Sequence, residues 1–198
     1  MYKYDVFAII GPKMIGPSRS HTAGAARIGY ITGFLCNHLP SEIELYFHVS
    51  LASTYSFHQT DTELIAGLLG NREDSTEIRR AYEIANERNI PIKIDTIQLK
   101  EAHPSSMVIK LKCADNRYFS VQAATVGGGN VEINSINDCK VNINGKSAYI
   151  YIMMNRDINI QNIIEQVALR NQFTRADYIA GETSKTREEI SEVMDENQ

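Results

Sequence analysis

No uninterrupted apolar run in the 198 residues approaches the roughly 18 needed to cross a bilayer, so a helical membrane anchor is not expected. Clustered positive charge is missing too. The 20 Lys and Arg against 24 Asp and Glu leave a formal net charge of −4, which argues against a nucleic-acid binder. Cysteine is scarce: Cys36, Cys113 and Cys139 are odd in number and far apart, so a disulfide framework is not expected. Cys36 falls on a helical apolar face and Cys113 in an alternating strand pattern, positions where a thiol behaves as a small hydrophobe. Their spacing also lacks the clustering of iron–sulfur or zinc ligands. The stretch Met1-Tyr-Lys-Tyr-Asp-Val6 runs straight into a strand-like pattern without the apolar core of a signal peptide, and a cytoplasmic protein is the expectation. With 43% hydrophobic and 22% charged residues, the composition is that of a folded soluble chain, one medium domain or one domain with a small appendage.

What the sequence does have is an unusual helix start. Ile10-Gly-Pro-Lys-Met-Ile-Gly-Pro-Ser-Arg-Ser-His-Thr-Ala-Gly24 lies between an apolar run (Tyr4 to Ile10) and a helical pattern (Ala25 to Leu39). It reads as a strand, a turn bent by two Gly-Pro pairs, then a helix. Ser18, Ser20 and Thr22 place hydroxyls where the helix dipole favours an anion such as a carboxylate, and His21 adds a group that changes charge near neutral pH. Helix capping alone accounts for fewer polar groups than are present.

That segment, GPxxxGPSxSHTAGAxRIG, resembles the amino-terminal motif of the beta chain of iron–sulfur-dependent L-serine dehydratase, with the match continuing through Arg27, Ile28 and Gly29. Ser50 to Asp61, followed by Leu64-Ile-Ala-Gly-Leu-Leu-Gly70, resembles that family's SFAxTGxGHGTDxALVAGLLG. Val126-Gly-Gly-Gly-Asn-Val-Glu-Ile133 resembles its glycine triplet before a strand, and His103-Pro104 its HPN turn. Where the family has glycines, this chain has Val49, Tyr55, Phe57 and Gln59. The resemblance implies a subunit that converts L-serine to pyruvate and ammonia with an alpha chain. It also implies a 4Fe–4S cluster, expected on that alpha chain and not bound here. His21, His58 and Asp61 are the implied catalytic residues, with Ser18, Ser20, Thr22 and Thr60 as substrate or anion contacts and no metal ligand.

Elimination of water from L-serine needs a Lewis acid on the hydroxyl and a base for the α-proton. On the resemblance the cluster supplies the first, and a His at the subunit boundary supplies the base or orients it. Capping of the helix by Thr60 and Asp61 is the plainer alternative. A homodimer of this chain is a further option. A second reading is a regulatory module that binds a small acid or L-serine, similar to the allosteric substrate-binding domain of some D-3-phosphoglycerate dehydrogenases. A third is a scaffold that has lost its ligand site.

Periodicity predicts a strand over 4–10, a helix over 22–39, a strand over 42–53, helices near 61–69 and 75–89, and strands near 92–97, 107–114, 118–125 and 131–136. Strands joined by short turns cannot be parallel neighbours. The expected fold is therefore α+β, a two-layer sandwich with helices on one face of a mixed or antiparallel sheet. After residue 138 the pattern restarts with strands near 140–144 and 148–154 and a helix over 160–169. This resembles a truncated ACT-like β-α-β unit, so the expected division is residues 1–138 as the beta-chain-like domain and 139–198 as a partial ACT-like appendage with a polar tail.

Overall fold

The computed structural model describes residues 13–14, 16, 18, 22–52, 59–137 and 139–144. The strand expected over 4–10 and the ACT-like elements beyond 144 lie outside the described residues.

Helix α1 spans Gly24–Gly33 and continues into a 3-10 turn, Phe34–Cys36. The helix expected to reach residue 39 ends there because Asn37 and His38 both turn left-handed, at φ 51 and 56. The His38 N–H donates to Gly33 O at 2.7 Å, which closes the last turn. Strand β1 (Pro40–His48) follows, then a single helical turn α2 (Val49–Ala52), helix α3 (Thr60–Leu68), a 3-10 turn (Thr76–Arg80) and helix α4 (Ala81–Glu87). Four strands and a fifth short one complete the chain described: β2 (Ile92–Ile97), β3 (Ser106–Cys113), β4 (Tyr118–Thr125), β5 (Val131–Ile136) and β6 (Cys139–Ile143).

The six strands form one sheet in the order β2-β1-β3-β4-β5-β6. β1 and β2 are parallel, joined by the helical crossover, and every other pair is antiparallel. Of the mixed or antiparallel sheet expected, a mixed one forms within an α+β fold, and β6 joins it as a sixth strand. The alternation of Ile43, Leu45 and Phe47 with polar residues puts one face of β1 into the core, beside Ile109 and Leu111 of β3 and Phe119 and Val121 of β4. Ile28 of α1 and Leu64, Ile65 and Leu68 of α3 cover that face. Burial of side chains the size of Phe47 or Phe119, both fully enclosed, stabilises by about 1.5–3 kcal/mol each. The opposite face is more polar, with Lys93 and Lys110 over the Tyr46 ring.

Two expectations are corrected. The strand expected over 42–53 ends at His48, and Val49–Ala52 is helical. The ladder stops there because β3 and β2 offer their last partners to Phe47 and His48. The thiols of Cys36 and Cys113, expected to be free, form a disulfide across a sequence separation of 77, with Cα atoms 5.1 Å apart. The 3-10 turn after α1 carries Cys36 over the far end of β3, a juxtaposition that spacing along the chain does not reveal.

α1 and α3 cross almost backbone to backbone. A Cβ on Gly29 would collide with Leu64 O and stand 2.9 Å from Leu68 N, and one on Gly67 would collide with Ala26 O and stand 2.6 Å from Tyr30 N. This crossing fixes the starts of the two helices relative to each other.

Candidate functional site

The carboxyl ends of β1, β2 and β4 and the amino ends of β3 and β5 meet at one end of the sheet, and the four sequence blocks singled out above gather there. The glycine-rich bend reaches α1 first. Gly24 packs so close to β4 that a Cβ on it would lie 2.7 Å from Thr125 Cγ2, and Asn130 O would be 3.9 Å away. Arg27 Nη1 donates to Gly129 O at 2.9 Å. Gly127, Gly128 and Gly129 all have positive φ (91, 61 and 78), which other residues adopt only with strain, so the triplet makes the strand-to-strand bend possible. The His103 turn joins from the other side: the Thr125 N–H donates to Ser105 O, and the Ser105 N–H donates to His103 Nδ1 at 3.1 Å.

The helix-start loop is held internally. Thr22 is fully buried, and its Oγ1 accepts the Ser18 N–H at 3.2 Å while Ser18 O accepts the Thr22 and Ala23 N–H groups. The Thr22 hydroxyl therefore braces the turn that leads into α1. Ser18 is half-buried beside it. Ser20, His21 and His58 lie outside the described residues.

On α3, the Gln59 side chain at the N-cap makes no capping hydrogen bond. Gln59, at a position where the resembled pattern has glycine, keeps a left-handed backbone at φ 57. Asp61 points to the flank, where its Oδ2 accepts the Tyr82 hydroxyl at 2.7 Å and ties α3 to α4. Thr60 is fully buried, and among the described residues its Oγ1 has no hydrogen-bond partner. Glu63, one helical turn on, is 1% exposed, and among the described residues neither of its carboxyl oxygens has a partner. The spacing i, i+3 puts Thr60 and Glu63 on one helix face.

Glu63 is the group that sequence reasoning missed. As a first-turn carboxylate it reads as a charge complementing the helix dipole, an effect of about 0.3–1 kcal/mol. The structure turns it inward, where a lone ionised carboxyl would cost several kcal/mol. Burial wins, pushing its pKa up to about 8, so the group is a neutral acid at pH 7. A Cβ on Gly16 would stand 2.6 Å from Glu63 Oε1 and would overlap Thr22 Cγ2, so Gly16, Thr22 and Glu63 meet at one point. One signal was available: Glu63 occupies a position where the resembled TDxAL pattern has alanine.

The arrangement combines two helix starts, hydroxyls and an uncharged buried acid at one end of the sheet, chemistry suited to a small zwitterion or carboxylate. It does not fit an iron–sulfur cluster. Cys36 and Cys113 are bonded to each other, Cys139 is the free cysteine, and no set of three or more His, Cys, Asp or Glu is grouped for a metal among the described residues. A separate apolar cavity of about 320 Å³ lies at the far end of α1, lined by Ile31, Phe34, Leu35, Ile133, Ile136 and Ile143. No helix among the described residues is long and apolar enough to cross a membrane.

The family model described as serine dehydratase beta chain matches residues 4–96. The chain is 36% identical over 152 residues to the probable L-serine dehydratase, beta chain, of Bacillus subtilis (strain 168), covering 76% of this chain and 68% of that relative. It is 31% identical over 153 residues to the L-serine dehydratase, beta chain, of Peptoniphilus asaccharolyticus, covering 77% and 69%.

Proposed function

The chain belongs to the L-serine dehydratase beta-chain family, and from that premise we propose that it is the beta subunit of an iron–sulfur-dependent L-serine dehydratase. With an alpha chain that carries the 4Fe–4S cluster, it converts L-serine to pyruvate and ammonia. The names of its relatives favour this over a purely regulatory module.

The observation that carries the reading is the convergence of the four motif blocks at one end of the sheet, through Gly16 on Glu63, Gly24 on Thr125, Arg27 on Gly129 and Thr125 on Ser105. Blocks up to a hundred residues apart in sequence meet there. In this reading the end of the sheet faces the alpha chain, and the cluster supplies the Lewis acid. This chain supplies the starts of α1 and α3, with Ser18, Ser20 and Thr60 offering hydroxyls to the substrate carboxylate and Thr22 bracing the turn. His21 and His58 take or orient the proton removed from the α-carbon. Asp61, tied to Tyr82, fixes the start of α3.

The test is co-expression with the alpha chain and an anaerobic pyruvate assay. Both chains together make pyruvate from L-serine, either alone does not, and His21→Ala or His58→Ala lowers kcat by at least about 100-fold, the scale of a lost acid–base group. Full activity of the alpha chain alone would overturn the reading.

A further inference from the structure

We propose that Glu63 is a positioning residue for this site: lodged against Gly16 and Thr22, it holds those two residues on the start of α3. The inference rests on the function proposed above and adds to it a residue that the motif resemblance does not mark. Three observations support it. Gly16 has φ 136 and lacks the Cβ that would strike both Thr22 and Glu63, so glycine is what lets the backbone at this position lie directly on the carboxyl. Glu63 is 1% exposed although it is on the first turn of a helix. Among the described residues, neither oxygen has a hydrogen-bond partner that would stabilise a charge.

The charged and titratable groups on the packed elements are engaged elsewhere. Arg27 of α1 donates to Gly129 O and lies 3.9 Å from Glu73; Tyr30 stacks near Phe34 and His38. Tyr82 of α4 binds Asp61, and Arg80 binds Glu77, Glu83 and Glu87. Burial is the cause that raises the pKa of Glu63. On the loop itself, Lys13 is exposed, and Arg19 and His21 lie outside the described residues. An ionised Glu63 can regain water only if Gly16 and Thr22 move off its carboxyl. The proton on Glu63 and its contact with Gly16 are therefore coupled.

Two measurements test this. In the reconstituted two-chain enzyme, kcat/KM for L-serine is followed from pH 7 to 9 for the wild type, Glu63→Gln and Glu63→Ala. Glutamine is neutral at every pH, so the ratio of Glu63→Gln to wild type rises about tenfold by pH 9, as expected for a group titrating near 8. Glu63→Ala, without the polar head, lowers activity at every pH, and a ratio that stays flat overturns the proposal. In the isolated full chain, trypsin cleavage after Lys13 and Arg19 is timed over the same range. Wild type is cut faster than Glu63→Gln above pH 8, and Gly16→Ala, whose new Cβ occupies the contact, is cut fast at every pH. Equal rates for wild type and Gly16→Ala at pH 7 would sink the idea. A pair of chains that makes no pyruvate would defeat the proposed function instead, and the cleavage series would still decide the role of Glu63.

Discussion

At the residue scale, local sequence and burial compete at Glu63 and Gln59, and the outcomes set measurable energies. Glu63 keeps its proton to about pH 8 when folded but releases it near its ordinary value of 4.5 when unfolded. The folded state thus holds more protons between those values, so this residue's effect on stability falls as pH rises from 4.5 to 8 and then levels off. Glu63→Gln removes that slope. Urea unfolding at pH 5, 7 and 9 is expected to find the variant more stable than wild type by on the order of 2–3 kcal/mol at pH 7, with little difference at pH 5. Gln59 presents a simpler case. Its exposed side chain sits on a left-handed backbone at φ 57, and Gln59→Gly is expected to raise stability by about 1 kcal/mol in thermal unfolding. An unchanged midpoint would mean that glycine's greater freedom in the unfolded chain offsets the relieved strain.

At the scale of elements, α1 and α3 cross almost backbone to backbone at Gly29 and Gly67. Alanine is the better helix former by about 1 kcal/mol, which on propensity alone would make Gly67→Ala stabilising. Its Cβ would run into Ala26 O and Tyr30 N, backbone atoms that cannot rotate away, and such overpacking costs about 1–3 kcal/mol or more. The clash wins: Gly67→Ala lowers the denaturation midpoint and, by spreading the helices, lowers activity with the alpha chain as well. The helix and strand positions in this layer were largely legible. Ile43, Leu45 and Phe47 alternate as a half-buried strand must, and Gly70, at φ 96, stops α3 where a glycine stop was expected. The failure at Val49–Ala52 is instructive because Val49 and Leu51 continue the alternation, yet no neighbouring strand is left to pair with them.

For the whole molecule, the disulfide ties the end of α1 to the far end of β3 and so joins the helical layer to the sheet. Closing a loop of 77 residues removes unfolded-state entropy worth about 4 kcal/mol in the chain-entropy account. Cys113→Ser is expected to lose about 2–4 kcal/mol in chemical unfolding, and a non-reduced tryptic digest should contain the Cys36 and Cys113 peptides as one mass. Two separate thiol peptides would remove the bridge from the account.

The sequence alone determined the α+β class, the sheet-forming segments from Pro40 to Ile136 and the family, because strand periodicity, glycine stops and long motifs are local signals. It also marked the stretches that gather at the candidate site, with Ser18, Thr60 and Asp61 expected within them. Only the tertiary structure decided what those residues touch. It turned Asp61 outward to Tyr82, used Thr22 as an internal brace, paired Cys36 with Cys113 and buried Glu63 under Gly16. Each outcome depends on neighbours 4 to 77 residues away, and the burial that sets a carboxyl's charge exists only once those neighbours have packed.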